Sequence, residues 1–453
     1  MINRRTFLLT TGAALAATSL APRAAHGRQA ARPLPSPAQL TWQRDELAMF
    51  IHFGVNTFTN REWGDGREDP AIFGPARLDA RQWARTARAA GYRAMILTAK
   101  HHDGFCLWPS RTTTHSVAKS PWRGGQGDLV REFVDACRAE SLRPGLYLSP
   151  WDRNSPVYGD SPRYNDLYCQ QLTELLTQYG ALSEVWFDGA NGEGPNGKRQ
   201  VYDWPRVWGL VRRLQPDAVM FSDAGPDVRW CGNEKGIAGE PNWSAVDPTI
   251  VTFPGATGPG VTDALQHGHP NGTVWRPAEA DTSMRPGWFY HPAEDGRVRS
   301  VDALVDLYFQ SVGRNSKLLL NVPPTPDGLL HETDVQRLTA CGDRLRAMFE
   351  NDVAAGRRVG WQRTGQRTAI GELDLGRSAT VAVARLEEDI TKGQMVASYT
   401  LSGSDGSSWR VLSKGTTIGY ARLDRFDPAA LIKVRLAIED AVSPPEPVRI
   451  KLF

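Results

Sequence analysis

Cysteine is scarce in this 453-residue chain: five thiols (Cys106, Cys137, Cys169, Cys231, Cys341), odd in number, widely spaced and with no CxxC pair. That pattern argues against a disulfide framework or a structural zinc site. Long apolar runs are missing too. Past the N-terminus no segment reaches the roughly 18 apolar residues of a membrane span, so a soluble mature protein without a membrane partner is expected. Charge is nearly balanced, at a formal +3 with Lys and Arg dispersed, which leaves no basic field for nucleic acid. No GxGxxG follows the first strand-like run, which weakens a dinucleotide-binding reading. Beyond residue 350 there is no histidine and only two of the 15 tryptophans, so chemistry is expected earlier in the chain.

The opening residues, MINRRTFLLTTGAALAATSLAPRAAHG, pair Arg4 with Arg5 ahead of a modest apolar stretch and a small-residue end near Ala24-Ala25. Residues 1–27 read as a twin-arginine export signal, predicting a periplasmic or secreted protein. Cleavage would remove three arginines and no acid, leaving a net charge near zero. That route exports folded proteins, which suits free, buried thiols.

Residues 35–348 alternate apolar strand-like runs with helix-like segments. The runs are AMFIHF (48–53), RAMILTA (93–99), GLYLS (145–149), EVWFDG (184–189), AVMFSD (218–223), TVWRPAEAD (273–281) and KLLLNVP (317–323). Helical spacing recurs over 78–91, 128–142, 164–180, 204–216 and 301–314. Near-continuous apolar strands between helices predict a parallel α/β sheet, here a (β/α)8-like barrel with one strand uncounted or irregular. The Gly- and Pro-rich stretch 230–270 reads as a long irregular loop. From 349 to 453, short alternating runs such as SATVAVARL and LIKVRLAI predict an antiparallel β-sandwich, expected to buttress the barrel.

Barrel enzymes place their chemistry where strands end. Those ends carry His52, then Lys100-His101-His102-Asp103, Tyr147 and Ser149, Trp186 to Gly189 with Asp188, Asp223, Glu279 and Asp281, and Asn321. Singly each has a bland explanation as a cap or a solvated end. Together, interleaved with Trp and Tyr, they suggest a pocket whose polar groups fix ring hydroxyls and whose aromatic faces cover C–H patches. The adjacent His101 and His102 raise a metal site as the rival, but no HExxH or His-x-His spacing supports one, and a sugar pocket is the preferred reading.

FIHFG around His52, EW at 62–63, KHHDGFCLW at 100–108, VWFDGA at 185–190, RWCGNEKG at 229–236 and MRPGWFYH at 284–291 together resemble glycoside hydrolase family 29, the α-L-fucosidases. GTTIGYAR, near 415–422, resembles that family's accessory β-domain. The resemblance implies a retaining exo-fucosidase without cofactor or metal, acting on fucosylated glycans, with Asp188 as nucleophile. It implies an acid/base glutamate on a variable loop. CGNEKG places that role on Glu234, similar to the subfamily acting on α-1,3/1,4-linked fucose, with Glu240 and Glu279 as rivals. His52, Glu62, Trp63, His101, His102, Tyr147, Trp186, Arg229 and Trp288 are carried to the fucose pocket by the same resemblance. The alternatives are a non-catalytic fucose-binding protein on the same scaffold, which retention of Asp188 and a loop glutamate disfavours, and an α-L-fucosidase of broader linkage specificity. The oligomeric state is not indicated.

Overall fold

The computed structural model describes residues 32–453. The export-signal reading falls on residues 1–27, outside the described residues. Eight parallel strands form the first sheet: β1 (Leu47–Ile51), β2 (Ala94–Lys100), β3 (Arg143–Leu148), β4 (Glu184–Trp186), β5 (Val219–Phe221) and β6 (Arg229–Trp230), then, after a short antiparallel ribbon of β7 (Ala245–Val246) and β8 (Val274–Trp275), β9 (Ala278–Ser283) and β10 (Ser316–Asn321). The order β5-β4-β3-β2-β1-β10-β9-β6 ends in two edges that a parallel bridge between Phe221 and Val228 draws together. The result is a nearly closed barrel.

The strands are short and almost wholly buried, as expected where helices cover a parallel sheet. Those helices start on side-chain caps: Asp79 accepts from Arg81 N and Gln82 N, Asp128 from Arg131 N, and Asp203 from Arg206 N. Trp83, Phe133, Val134, Leu172, Leu175 and Val207 on the inner helix faces pack against the barrel's outer apolar residues. No helix among the described residues is long and apolar enough to cross a membrane.

The uncounted strand is β6. It is two residues long, with no apolar run to announce it, and it pairs with β9 at Arg229↔Ala278 and Trp230↔Glu279. The stretch 273–281 is two elements rather than one: β8 belongs to the small ribbon, and the barrel strand starts at Ala278. The irregular stretch 230–270 carries a short helix, Val261–His267.

The second, antiparallel sheet has six strands: β11 (Gly360–Arg363), β12 (Ala369–Glu387), β13 (Val396–Ser404), β14 (Trp409–Gly415), β15 (Arg422–Ala441) and β16 (Arg449–Leu452). The long β12 and β15 shift register between Asp374 and Ala379 and between Val381 and Val383, letting the sheet turn on itself into a sandwich-like unit. Leu373, Val381, Leu401, Leu431, Val434 and Leu436 form its own core.

Candidate active site

At the C-terminal ends of the barrel strands lies a cavity of about 160 Å³ lined by Phe50, His52, Glu62, Trp63, His101, His102, Tyr147, Trp186, Asp188, Ala190, Glu234, Asp281 and Trp288. That is the liquid volume of about five waters, room for one small ring rather than an extended chain. Larger clefts lie elsewhere, but they are lined by other residues and hold none of these carboxyls.

Asp188 lies two residues past the end of β4. Its Oδ1 accepts from Ala190 N at 2.7 Å and its Oδ2 from the Tyr147 hydroxyl at 3.1 Å, while the side chain stays 27% exposed. The carboxylate is thus oriented yet open to a ligand. Gly189 is required beside it, because a Cβ there would sit 2.4 Å from Asp223 Oδ2 and 2.9 Å from Gly255 N. Asp223, on the loop after β5, is pushed up to about 6, mainly by burial, with the Asp188 charge adding to it and the Gly255 N–H opposing.

Three histidines face the same space. His101 and His102 follow the last residue of β2, where the chain leaves the sheet, so their rings do not alternate faces but lie 4.1 Å apart. His52 is pushed down to about 3 by burial, with the Asn321 hydrogen bond opposing. Burial also lowers His101 and His102, and in His102 the Asp188 charge pulls the other way. All three are therefore neutral, and their neighbours assign the tautomers. Asn321 gives its Nδ2 hydrogens to Ser283 Oγ and Trp288 O, so its Oδ1 accepts from His52 Nδ1 at 2.8 Å. Ser149 Oγ donates to Trp151 O and accepts from His102 Nδ1 at 2.7 Å. In both rings Nε2 is left as the acceptor. His102 Nε2 stands 3.8 Å from Asp188 Oδ2, two acceptors with space for a hydroxyl donor between them.

Glu62 lines the cavity, yet its oxygens are occupied: Oε2 accepts from Trp288 N, and Oε1 from Phe289 N and His291 Nε2. It clamps the segment that presents Trp288. Trp63 stands 58% exposed at the rim, edge-on to His102 and Trp151. Trp186 stacks on Phe221 and donates its indole N–H to Glu279. Glu234, exposed on the loop after β6, is raised above the ordinary glutamate range, by partial burial first and then by the charges of Asp188 and Glu62, with a Trp288 side-chain hydrogen bond opposing.

Arg229 does not reach the cavity. It is 2% exposed, and its guanidinium bonds Leu265 O, Arg276 O and Asn242 Oδ1, so it knits the 240–276 segment to β6 instead of presenting a free fork. The rival glutamates are also placed elsewhere. Glu279 lies inside the barrel beside Lys317 and Glu184, and Glu240 pairs with Arg314 and Arg422. Phe50 and Ala190 were not singled out as pocket residues from sequence; Asp281 was among the strand-end groups expected there, without a role of its own. Among the described residues no group of three or more His, Cys, Asp or Glu is arranged to hold a metal ion.

A one-ring pocket on a barrel rim, with an oriented carboxylate, a second carboxyl of raised proton affinity and neutral histidines, defines a glycoside hydrolase. The comparisons give the family. Residues 28–350 match the family model described as Alpha-L-fucosidase. The chain is 43% identical over 423 residues to Alpha-L-fucosidase 1 of Arabidopsis thaliana, covering 87% of this chain and 82% of that one. A crystal structure of a glycoside hydrolase 29 family member from an unknown rumen bacterium is 40% identical with TM-score 0.86, covering 93% of this chain and 77% of that one. A Ruminococcus gnavus GH29 fucosidase in complex with fucose is 30% identical with TM-score 0.85, covering 93% and 95%. The chain belongs to the α-L-fucosidase family, glycoside hydrolase family 29.

Proposed function

We propose that this α-L-fucosidase is exo-acting and retaining, with Asp188 as nucleophile and Glu234 as acid/base, and that it removes terminal α-1,3/1,4-linked fucose from branched glycans. The observation that carries the reading is the pairing of two differently held carboxyls on one cavity. Asp188 is oriented by Tyr147 and Ala190, while Glu234 keeps its proton to higher pH.

In the first step a carboxylate oxygen of Asp188 attacks the anomeric carbon as the bond to the leaving oxygen breaks, and Glu234 gives that oxygen its proton. A fucosyl ester on Asp188 results. In the second step the Glu234 carboxylate takes a proton from water, the water oxygen attacks the same carbon as its bond to Asp188 breaks, and fucose leaves with its configuration retained and Asp188 a carboxylate again. The acceptor nitrogens of His52 and His102 suit ring hydroxyls, and Trp288 with Phe50 supplies an apolar wall for the deoxy face. The fucose bound in the Ruminococcus gnavus relative supports the ring identity. The small cavity supports attack at chain ends. The linkage preference rests on the CGNEKG resemblance, and Trp63 and Trp151 at the rim offer contact surface to the sugar that leaves. The paired arginines Arg4 and Arg5 support export to the periplasm or beyond.

The test compares a Lewis-type trisaccharide with an activated aryl α-L-fucoside for wild type, Asp188→Ala and Glu234→Ala, with NMR reading the first-formed anomer. The α-anomer forms first if configuration is retained. Asp188→Ala is inactive on both substrates, and Glu234→Ala loses the trisaccharide while keeping more of the aryl substrate's first step. A β-anomer first, or full trisaccharide activity in Glu234→Ala, overturns the assignment. Retained export after Arg4→Lys with Arg5→Lys overturns the twin-arginine reading.

A further inference from the structure

Asp281 is a third carboxyl in the cavity, 4% exposed, and the two-carboxyl chemistry has no role for it. It sits on β9 opposite the loop 231–236, which leaves β6 and carries Glu234. Its contacts fall at the two ends of that loop. Its carboxylate Oδ1 accepts the indole N–H of Trp230 at 2.7 Å, at the residue where the loop begins. Its main-chain carbonyl accepts from Gly236 N at 3.0 Å, where the loop ends. Between these points the loop is stiffened by Asn233, whose Oδ1 accepts from Lys235 N and whose Nδ2 donates to Cys231 O and Ile237 O. These bonds leave the Glu234 side chain to project from a loop held at both ends.

We propose, resting on the reading of Glu234 as acid/base, that Asp281 is its positioning residue: one strand residue ties both ends of the acid/base loop and so fixes where the Glu234 carboxyl meets the leaving oxygen. Trp230 is the working partner of Asp281 in this, since its N–H is the side-chain tie. A misplacement of a catalytic group by about 1 Å costs on the order of 100-fold in rate, so loss of one tie has a large kinetic effect, and Trp230, outside the cavity lining, breaks the tie without touching the sugar's contacts.

The experiment measures kcat/KM on a fucoside with a poor leaving group and on one with an activated aryl leaving group, plus the Ki of free fucose, for Asp281→Ala, Asp281→Asn, Trp230→Phe and Glu234→Ala. Asp281→Ala and Trp230→Phe lose about 10- to 100-fold on the poor leaving group. They lose far less on the aryl fucoside, and fucose Ki stays within about twofold. Asp281→Asn, which keeps an oxygen acceptor for the indole, restores the rate to within about threefold of wild type. Trp230→Phe removes only the donor and keeps the test open if Asp281→Ala does not fold. An unchanged ratio between the two substrates in Trp230→Phe overturns the proposal, as does Asp281→Asn no better than Asp281→Ala. Failure of the underlying reading looks different: Glu234→Ala then keeps the poor-leaving-group activity, and an inactive Asp281→Asn beside it makes Asp281 itself the acid.

Discussion

The Tyr147 hydroxyl donates to Oδ2 of Asp188, joining the end of β3 to the second residue past β4. From the sequence alone a strand tyrosine is as good a core residue as a ligand; here its ring is buried and only its oxygen does chemistry. Tyr147→Phe keeps the ring that stacks on His101 and meets Phe50 edge-on, and removes one hydrogen bond to a charged group. Such a bond is worth about 1.5–3 kcal/mol. We expect kcat/KM to fall about 10- to 100-fold in steady-state kinetics, with fucose Ki changed far less.

On the proposed acid/base role, Glu234 should set the basic limb of activity, because it would have to hold its proton to assist the first step. Its proton affinity is raised by burial and by Asp188 and Glu62, and held down by the hydrogen bond from Trp288. Trp288→Phe removes that bond and keeps an aromatic wall. The basic limb of kcat/KM should therefore move to higher pH, and a move to lower pH in a pH–rate profile would contradict the assignment.

Asp103 lies behind the cavity, 2% exposed, and is pushed from the ordinary 3.8 up to about 7, by burial first, with the Phe105 N–H opposing and Glu68 and Asp152 adding. The folded state holds this proton more tightly than the unfolded chain does. The fold therefore loses stability progressively as pH rises from about 4 to about 7 and levels off above, by up to about 4 kcal/mol in all. Asp103→Asn should remove this pH dependence. Its amide can meet Asn56, whose Oδ1 is buried without a partner. Denaturant titrations from pH 4 to pH 8 should show the variant gaining on wild type progressively as pH rises, most of all at pH 7 and above.

Arg229 is held by protein acceptors, so its removal should act on stability and not on sugar binding. Arg229→Met leaves two carbonyls and the Asn242 amide oxygen short of a donor, at a cost of about 2–4 kcal/mol. Thermal unfolding should show the loss, while the Ki of fucose stays within about twofold. A selective rise in Ki at unchanged Tm would return Arg229 to the pocket.

Most barrel strands were legible because Met49, Ile51, Met95, Leu97 and Leu320 are apolar toward the covering helices. β9 was counted but its start was set too early, for the opposite reason. Its alternate residues Glu279 and Asp281 turn inward, between small alanines, so AEADTS reads as polar and the eye shifts to the apolar Val274–Trp275 before it. β6 is too short for any periodicity. His52, His101, His102, Tyr147, Trp186 and Asp188 were found because they lie at strand ends, a rule of position, whereas Glu62, Trp63, Glu234 and Trp288 came only with the family resemblance. Arg229 was misplaced because nothing in a single sequence says whether an arginine's fork is already satisfied. The neutral histidines were legible as residues but not as tautomers, which depend on Asn321 and Ser149, distant in sequence from at least one partner.

The ties of Asn315 carry a consequence for the whole chain. This buried side chain donates to Asn242 O and Ser244 Oγ and accepts from Tyr420 N, while its own main-chain N–H reaches Ala421 O. Glu240 joins Arg422 across the same seam, and Gln394 donates to Asn242 O. The segment so fastened runs straight from the Glu234 loop. The C-terminal sheet is therefore fastened to the segment that follows Glu234, and should act as a splint for it. A chain cut after the last barrel helix would retain every cavity residue and still lose turnover, and the intact protein should melt in one step.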